Sequence, residues 1–222
     1  MWRSCGPPAR PVLLACALLL LAAHAHAAAQ NYTNGICPSL DIRNAPEQFE
    51  KLRGCRVIEG QLSIVLMERA NFKNFENLSF PELREITGYL LIYRTKGVRK
   101  LGDLFPNLTV VRGMELFKDF AIVIFDNQHL ESLGLRSLMA VQRGGVRIER
   151  NDQLCYVDTI DWSRINTDDA ENIIRANYDL RFCGLCPNAQ SRVEDHRQSL
   201  VQCPTADSTK RLLCWDENHC QT

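Results

Sequence analysis

The chain has 222 residues, 45% of them hydrophobic, which is enough for one or two domains with a real core. It carries 26 basic and 26 acidic side chains, so no long-range field favours nucleic acid or an anionic membrane. Its ten cysteines are too many for an ordinary cytosolic domain and indicate an oxidising compartment. Any binding must therefore come from local features of a disulfide-bonded surface.

Residues 1–29 have the three-part layout of a secretory signal peptide. Arg3 and Arg10 precede an apolar run over residues 12–23, and a stretch of small residues follows. The run has about a dozen residues, too few for a hydrocarbon core that needs roughly 20. We predict a cleaved signal, an extracellular location for the rest and no membrane segment in it. The secretory route also makes three sequons predicted glycosylation sites: Asn31, Asn77 and Asn107.

The predicted signal peptide contains Cys5 and Cys16, and the eight cysteines after it are unevenly distributed. None lies between Cys55 and Cys155, whereas five lie from Cys183 to Cys220. This shift predicts a boundary near residue 180, between a region with its own hydrophobic core and a polar tail held by disulfides. The Cys183-x-x-Cys186 pair also suits zinc or a redox motif, but the secretory route and the missing βαβ context favour disulfides. We predict no metal and no cofactor.

The segment before the first long β-rich run has the signals of a short helix. Asn44 suits the N-cap, Glu47 lies where it completes a capping box, and Gly54 suits the end. Phe49 and Leu52 share the predicted inner face. Because a solenoid exposes the edge of its core at its first repeat, this helix is predicted to cap the N-terminal end.

A repeat of about 25 to 30 residues follows, which is typical of a solenoid. Residues 80–88 recur as residues 105–113, and a β-rich run ends each repeat. Alternation along these runs separates an inner set from an outer set. The inner set is Leu62, Ile64, Leu90, Ile92, Ile122, Ile124, Val146 and Ile148. The outer set, predicted to form one exposed sheet face, is Ser63, Val65, Leu91, Tyr93, Val123, Arg147 and Glu149.

Four blocks of sequence, at residues 37–44, 57–60, 104–113 and 154–163, resemble the first ligand-binding domain of the insulin receptor family. The resemblance covers essentially the whole mature chain. It implies a mainly β fold: a short right-handed β-helix with leucine-rich-repeat character, the receptor L domain, over residues 30–180. The N-terminal helical cap fits this fold. Residues 181–222 would begin a small disulfide-rich module, the furin-like cysteine-rich region.

The resemblance also implies a disulfide pairing, which spacing alone leaves open among 105 possibilities for eight cysteines. The implied bridges are Cys37–Cys55, Cys155–Cys183, Cys186–Cys214 and Cys203–Cys220.

By the same resemblance, an insulin-like peptide hormone lies across the outer sheet face. Exposed apolar anchors with a charged rim are the expected anatomy of such an interface. Family receptors complete the site with elements outside this chain, so the isolated chain is expected to bind weakly. The implied contacts are Asp41, Arg43, Asn44, Val65, Leu66, Leu91, Tyr93, Arg94, Leu116, Phe117, Val123, Arg147, Glu149 and Arg150.

Several functions remain open at this stage. The protein could be the ectodomain portion of a plasma-membrane receptor, acting with the rest of the receptor or in a receptor dimer. It could instead be a secreted decoy that sequesters insulin-like peptides, or a structural or dimerising L domain that binds no peptide. The outer residues could also be ordinary exposed side chains. Because the phosphate-binding loop and the catalytic-loop motif of kinases are missing, we predict that the chain is not an enzyme.

Overall fold

The computed structural model describes residues 33–186, 203–205 and 212–221. The predicted signal peptide and Asn31 lie outside the described residues. Within them, one short α-helix spans Leu101–Leu104 and short 3-10 segments connect the strands. The strands are β1 (Ile36–Arg43), β2 (Val57–Met67), β3 (Glu85–Ile86), β4 (Leu90–Thr95), β5 (Val110–Val111), β6 (Phe120–Phe125), β7 (Ala140–Val141), β8 (Gly145–Glu149) and β9 (Ile173–Arg175).

Every strand pairing in the sheet is parallel, and β2 belongs to two ladders. The main ladder has the order β1-β2-β4-β6-β8-β9. The first residues of β2 also pair with β3, which continues through β5 to β7. The fold is therefore mainly β, with a parallel sheet that does not close on itself. No helix of the described part of the chain is long and apolar enough to cross a membrane.

Stacked aliphatic rows explain this register. Each predicted inner residue lies beside its counterpart on the next strand, and all of them are buried. A one-residue slip would expose a whole row, so the hydrophobic effect specifies the register strongly. The two rows are Leu40-Leu62-Leu90-Ile122-Val146 and Ile42-Ile64-Ile92-Ile124-Ile148.

An asparagine ladder holds the corner that follows the main ladder. Asn127 and Asn151 are fully buried, and Asn177 is half-buried. The Oδ1 atom of each accepts a backbone N–H from the preceding turn: Thr95, Asn127 and Asn151 in order, at 2.9, 3.0 and 3.2 Å. The Nδ2 atoms donate to carbonyls of the preceding strand. The ladder satisfies backbone groups that the corner removes from the sheet.

The predicted helical segment has a different start. It is a 3-10 helix over Pro46–Leu52 whose N-cap is Ala45, with no side-chain cap. The predicted Asn44–Glu47 capping box is therefore wrong: Asn44 has a left-handed φ of 68° and lies directly after the last residue of β1. The inner-face prediction is confirmed, because Phe49 and Leu52 are buried.

The described C-terminal residues pack on the sheet region through one tryptophan. Trp215 is buried in the main core, with its ring 6.2 Å from that of Trp162 and nearly perpendicular to it. Gln221 adds two hydrogen bonds to the backbone of Asp161, at 2.7 and 3.0 Å. Four disulfides join the same pairs that the family resemblance implies: Cys37–Cys55, Cys155–Cys183, Cys186–Cys214 and Cys203–Cys220.

Candidate functional site

The outer side of the main ladder carries three parallel rows of side chains, which together we call the outer face. Strand pairing defines the first two rows. The third row consists of residues with a left-handed backbone conformation, which lie near or directly after the ends of the strands. The first row is Asp41, Ser63, Leu91, Val123, Arg147 and Ile173. The second is Arg43, Val65, Tyr93, Phe125, Glu149 and Arg175. The third is Asn44, Leu66, Arg94, Asp126, Arg150 and Ala176.

Aromatic rings and guanidinium groups alternate at the centre of the outer face. The rings of Tyr93 and Phe125 lie 5.8 Å apart. The guanidinium of Arg94 lies 5.3 Å from the Tyr93 ring centre, and those of Arg147 and Arg150 lie 5.5 and 5.7 Å from the centre of Phe125. Such cation–π contacts hold long side chains in place. The result is a preorganised surface with apolar centres and cationic edges.

Phe125 belongs to the outer face but is missing from the sequence-based set. Alternation in β6 assigns it to the same side as Val123, and its register beside Tyr93 puts it in the second row. The run Ala121–Phe125 is uniformly apolar, which hides its outward end from a search for motifs. Strand alternation alone could have identified it.

Burial divides the implied contact residues into three groups. Val65 and Val123 point outward, but only 7% and 4% of their surfaces are exposed. Their expected role as exposed anchors is corrected: each lies between longer side chains of its own row, which cover it. Glu149 is also buried. Leu91, Tyr93 and Arg147 are half-buried. The exposed residues are Asp41, Arg43, Asn44, Leu66, Arg94, Leu116, Phe117 and Arg150.

Leu116 and Phe117 extend the apolar surface from a tight turn before β6. Phe117 and Phe120 exchange two backbone hydrogen bonds, at 2.9 and 3.2 Å. The ring of Phe117 lies 5.7 Å from that of Tyr89. Leu116 lies against Gly144, where an added Cβ would come within 2.5 Å of a leucine methyl. The turn is thus held by backbone bonds and close packing, with 37% and 38% of its two apolar residues exposed.

Most charges of the outer face are already paired. Arg43 donates to Asp41, with the Nε–Oδ1 distance at 2.8 Å, and Arg94 donates to Asp126 at 2.8 Å. Among the described residues, Arg150 makes no ion pair. A partner that docks here would therefore meet mostly paired charges, with Arg150 as an exposed cation beside the Phe125 ring and a further net positive charge where Arg147 and Arg175 share Glu149.

Glu149 is the buried acid of the outer face. It accepts hydrogen bonds from Arg147 at 2.7 Å and from Arg175 at 3.1 Å. The hydrogen bond from Arg147 is the main cause that lowers the pKa of Glu149, and desolvation opposes it. Glu149 thereby fixes Arg147 against Phe125 and does not offer a free carboxylate to a ligand.

Glu149→Gln should lower the free energy of unfolding at pH 7 by about 1.5–3 kcal/mol, the range for hydrogen bonds to charged groups. Since the folded-state pKa of Glu149 is depressed, its contribution is present above the ordinary value of 4.5 and is lost as pH falls through the folded value. Urea unfolding at pH 7 and pH 3 should therefore show a smaller difference between wild type and variant at pH 3.

Glu50→Gln is the matched control, because Arg53 likewise lowers the pKa of Glu50 through a hydrogen bond, but this pair is exposed. It should change stability little at either pH. A Glu149→Gln variant that loses the same stability at both pH values would contradict the assignment.

The sequons differ in their surroundings. Asn77 is exposed, whereas Asn107 is half-buried and its Nδ2 donates to the carbonyl of Pro81 at 2.8 Å. The glycosylation of Asn77 and of Asn107 stays a prediction.

One group of three cysteine sulfurs has the spacing of a metal site. The sulfur atoms of Cys186, Cys203 and Cys214 lie within 4.8 Å of one another. They do so because two disulfides are neighbours there, and a sulfur in a disulfide is not the thiolate that binds a metal ion.

A protein-family model described as "Receptor L domain" matches residues 54–166 of the chain. The chain therefore belongs to the receptor L domain family. It is 45% identical to an insulin receptor of Xenopus laevis over 188 aligned residues, and this alignment covers 84% of this chain and 13% of that protein. It is also 42% identical over 213 residues to an insulin-like growth factor 1 receptor of Xenopus laevis, covering 95% and 15%.

A putative molluscan insulin-related peptide(s) receptor of Lymnaea stagnalis is 41% identical over 192 residues, covering 86% of this chain and 11% of that protein. The resemblance to the insulin receptor family is thus confirmed. The chain spans 11 to 15% of the lengths of these three relatives. The four disulfides fit an extracellular location.

Proposed function

We propose that this chain is the ligand-binding part of an insulin-receptor-like ectodomain, and that its outer face binds an insulin-like peptide hormone. The observation that carries the proposal is the stripe of Tyr93 and Phe125 with its stacked arginines, flanked by exposed Leu66, Leu116 and Phe117. Aromatic residues and arginine dominate binding energy in protein interfaces. The relatives are named as receptors for insulin, an insulin-like growth factor or insulin-related peptides.

The contact set changes on structural grounds. Phe125 joins it, because it lies at the centre of the stripe. Val65, Val123 and Glu149 act as supports beneath or beside the contacting side chains, since all three are buried. The direct contacts are then Asp41, Arg43, Asn44, Leu66, Leu91, Tyr93, Arg94, Leu116, Phe117, Phe125, Arg147 and Arg150.

Replacing Tyr93 or Phe117 by alanine should weaken binding by about 2–4 kcal/mol each, which is about 30-fold or more in Kd. Titration calorimetry of the secreted protein with insulin-like peptides measures this. A peptide from the C-terminal end of a receptor α-subunit is supplied, because family receptors complete the site with elements outside this chain. Arg147→Ala should weaken binding by a smaller factor, since Glu149 already holds that guanidinium.

Phe182→Ala is the matched control. Phe182 is an exposed aromatic ring with an arginine, Arg181, stacked at 5.8 Å, but it lies outside the outer face. Its removal should leave Kd unchanged. If the wild-type protein shows no binding at high micromolar hormone with the α-subunit peptide present, the hormone proposal fails and a structural or dimerising domain is the better description.

We further infer that the two parallel ladders are sides of a short right-handed β-helix. The two-residue strands β3, β5 and β7 follow one another in the same order as β2, β4, β6 and β8, as successive turns of a solenoid would. The 3-10 segment Pro46–Leu52 covers core residues beside β1 and would serve as the N-terminal cap. The proposed domains remain residues 30–180 and 181–222.

A further inference from the structure

A concave surface that shares no residue with the three rows of the outer face borders one of the sequons. Its volume of about 690 Å³ is comparable to ligand pockets, which run from about 300 to 1,000 Å³. Polar and apolar groups both line it, and an exposed aromatic ring, Phe72, stands at its edge. We call it the Phe72 groove. The residues used below are Phe72, Asn77, Ser79, Arg99, Lys100 and Asp103.

Phe72 is held in place although 55% of its surface is exposed. It begins a 3-10 turn that Asn71 and Asn74 close with a capping box. The turn lies directly against Gly97, where an added Cβ would clash with the Asn71 carbonyl carbon. The exposed face of the Phe72 ring offers an apolar platform with polar groups around it.

All three residues of the sequon Asn77-Leu78-Ser79 line the same groove. Asn77 and Ser79 are exposed, while Leu78 packs against the core and anchors the tripeptide. A sugar attached to Asn77 Nδ2 would thus begin at the groove wall. Sugar rings have one apolar face of C–H groups and a rim of hydroxyls, and this matches an aromatic platform ringed by hydrogen-bonding side chains.

We propose that the N-glycan on Asn77 folds back into the Phe72 groove, with an inner N-acetylglucosamine stacked on Phe72. Its hydroxyl and acetamide groups meet Arg99, Lys100 and Asp103. In the attachment step, Asn77 Nδ2 forms a bond to C1 of an oligosaccharide and loses one proton. The bond from C1 to the lipid pyrophosphate carrier breaks, and the carrier leaves with the electron pair.

A tethered glycan is favoured over a separate protein partner for this groove. Attachment at the wall gives the sugar a high effective concentration there, of millimolar order for short flexible tethers. The groove's charged residues are partly committed, because Arg99 pairs with Glu131 and Lys100 with Glu217. What remains beside the aromatic face includes the Asp103 carboxylate, which can accept hydrogen bonds from sugar hydroxyls.

The test uses the protein secreted from a eukaryotic host with isotope-labelled N-acetylglucosamine. Mass spectrometry should find Asn77 glycosylated. NMR cross-relaxation should connect an N-acetyl methyl group with the Phe72 ring protons. Phe72→Ala should abolish this signal and make native endoglycosidase release of the Asn77 glycan roughly 2- to 12-fold faster, the range expected for one aromatic stacking contact. Phe182→Ala, another exposed ring elsewhere, should change neither result.

Ser79→Ala provides a second comparison, because it removes the sequon by a small change at an exposed residue and keeps Asn77. Amides of residues 96–103 should then exchange with deuterium faster than in the glycosylated protein. An unmodified Asn77, equal release rates in wild type and Phe72→Ala, or groove protection that survives glycan removal would each overturn the proposal. The last of these would assign the groove to another occupant.

Discussion

Replacing Asn151 by leucine should lower the free energy of unfolding by about 3–5 kcal/mol, since several buried polar groups lose their partners at about 1–3 kcal/mol each. The Oδ1 atom of Asn151 accepts both the backbone N–H and the side-chain amide of Asn127, each at 3.0 Å. Its Nδ2 atom donates to the carbonyl of Ile124 at 3.1 Å. Leucine fills a similar volume but offers none of these bonds. Equilibrium urea unfolding measures the loss.

Asn177→Leu is the internal control for this prediction. Asn177 makes the same kind of contacts at the last described turn of the ladder, accepting from the Asn151 backbone at 3.2 Å and donating to Ile148 at 3.0 Å. It is only half-buried, so water can replace part of what is lost. We expect about 1–2 kcal/mol for this variant. A loss below about 1 kcal/mol for Asn151→Leu would contradict the ladder's role.

The inner rows of the sheet could be predicted from the sequence, whereas the corners could not. The rows depend on a period of two in aliphatic residues, which the hydrophobic effect enforces on every strand. The corners depend on hydrogen bonds between turns about 25 residues apart, and a single asparagine gives no sign of such a partner. The spacing of Asn127, Asn151 and Asn177 contains the signal, but it becomes visible only when the repeats are aligned.

The site shows the same division between pattern and context. Alternation places Tyr93, Val123 and Arg147 on one side, and pairing confirms that side. Alternation does not show how long the side chains of the neighbouring strands are. Val123 is buried because it lies between the longer side chains of Leu91 and Arg147. Asn44 illustrates a local version of the problem. Asparagine favours both an N-cap and the left-handed region, and the stacked corners select the second.

The tail after residue 180 is predicted to depend on disulfides, yet its Trp215 side chain is buried in the main core. The Trp215 ring meets Trp162, and the Trp215 carbonyl accepts the backbone N–H of Gly134 at 3.3 Å. Cys214, its neighbour, is tied to Thr159 by hydrogen bonds at 3.1 and 3.2 Å. Bridges restrict the unfolded chain, but these contacts stabilise the folded one.

Trp215→Ala should therefore cost about 3–5 kcal/mol, the usual penalty for truncating a buried tryptophan. Near-UV circular dichroism should report the lost Trp162–Trp215 contact, and urea unfolding should give a lower midpoint. The tail and the sheet region should unfold in one transition, since they share one core. Trp215→Phe keeps an aromatic ring and should recover part of the loss, whereas Phe182→Ala, exposed on the same tail region, should stay within about 0.5 kcal/mol of wild type. If Trp215→Ala unfolds at the wild-type midpoint, the disulfides alone hold the tail.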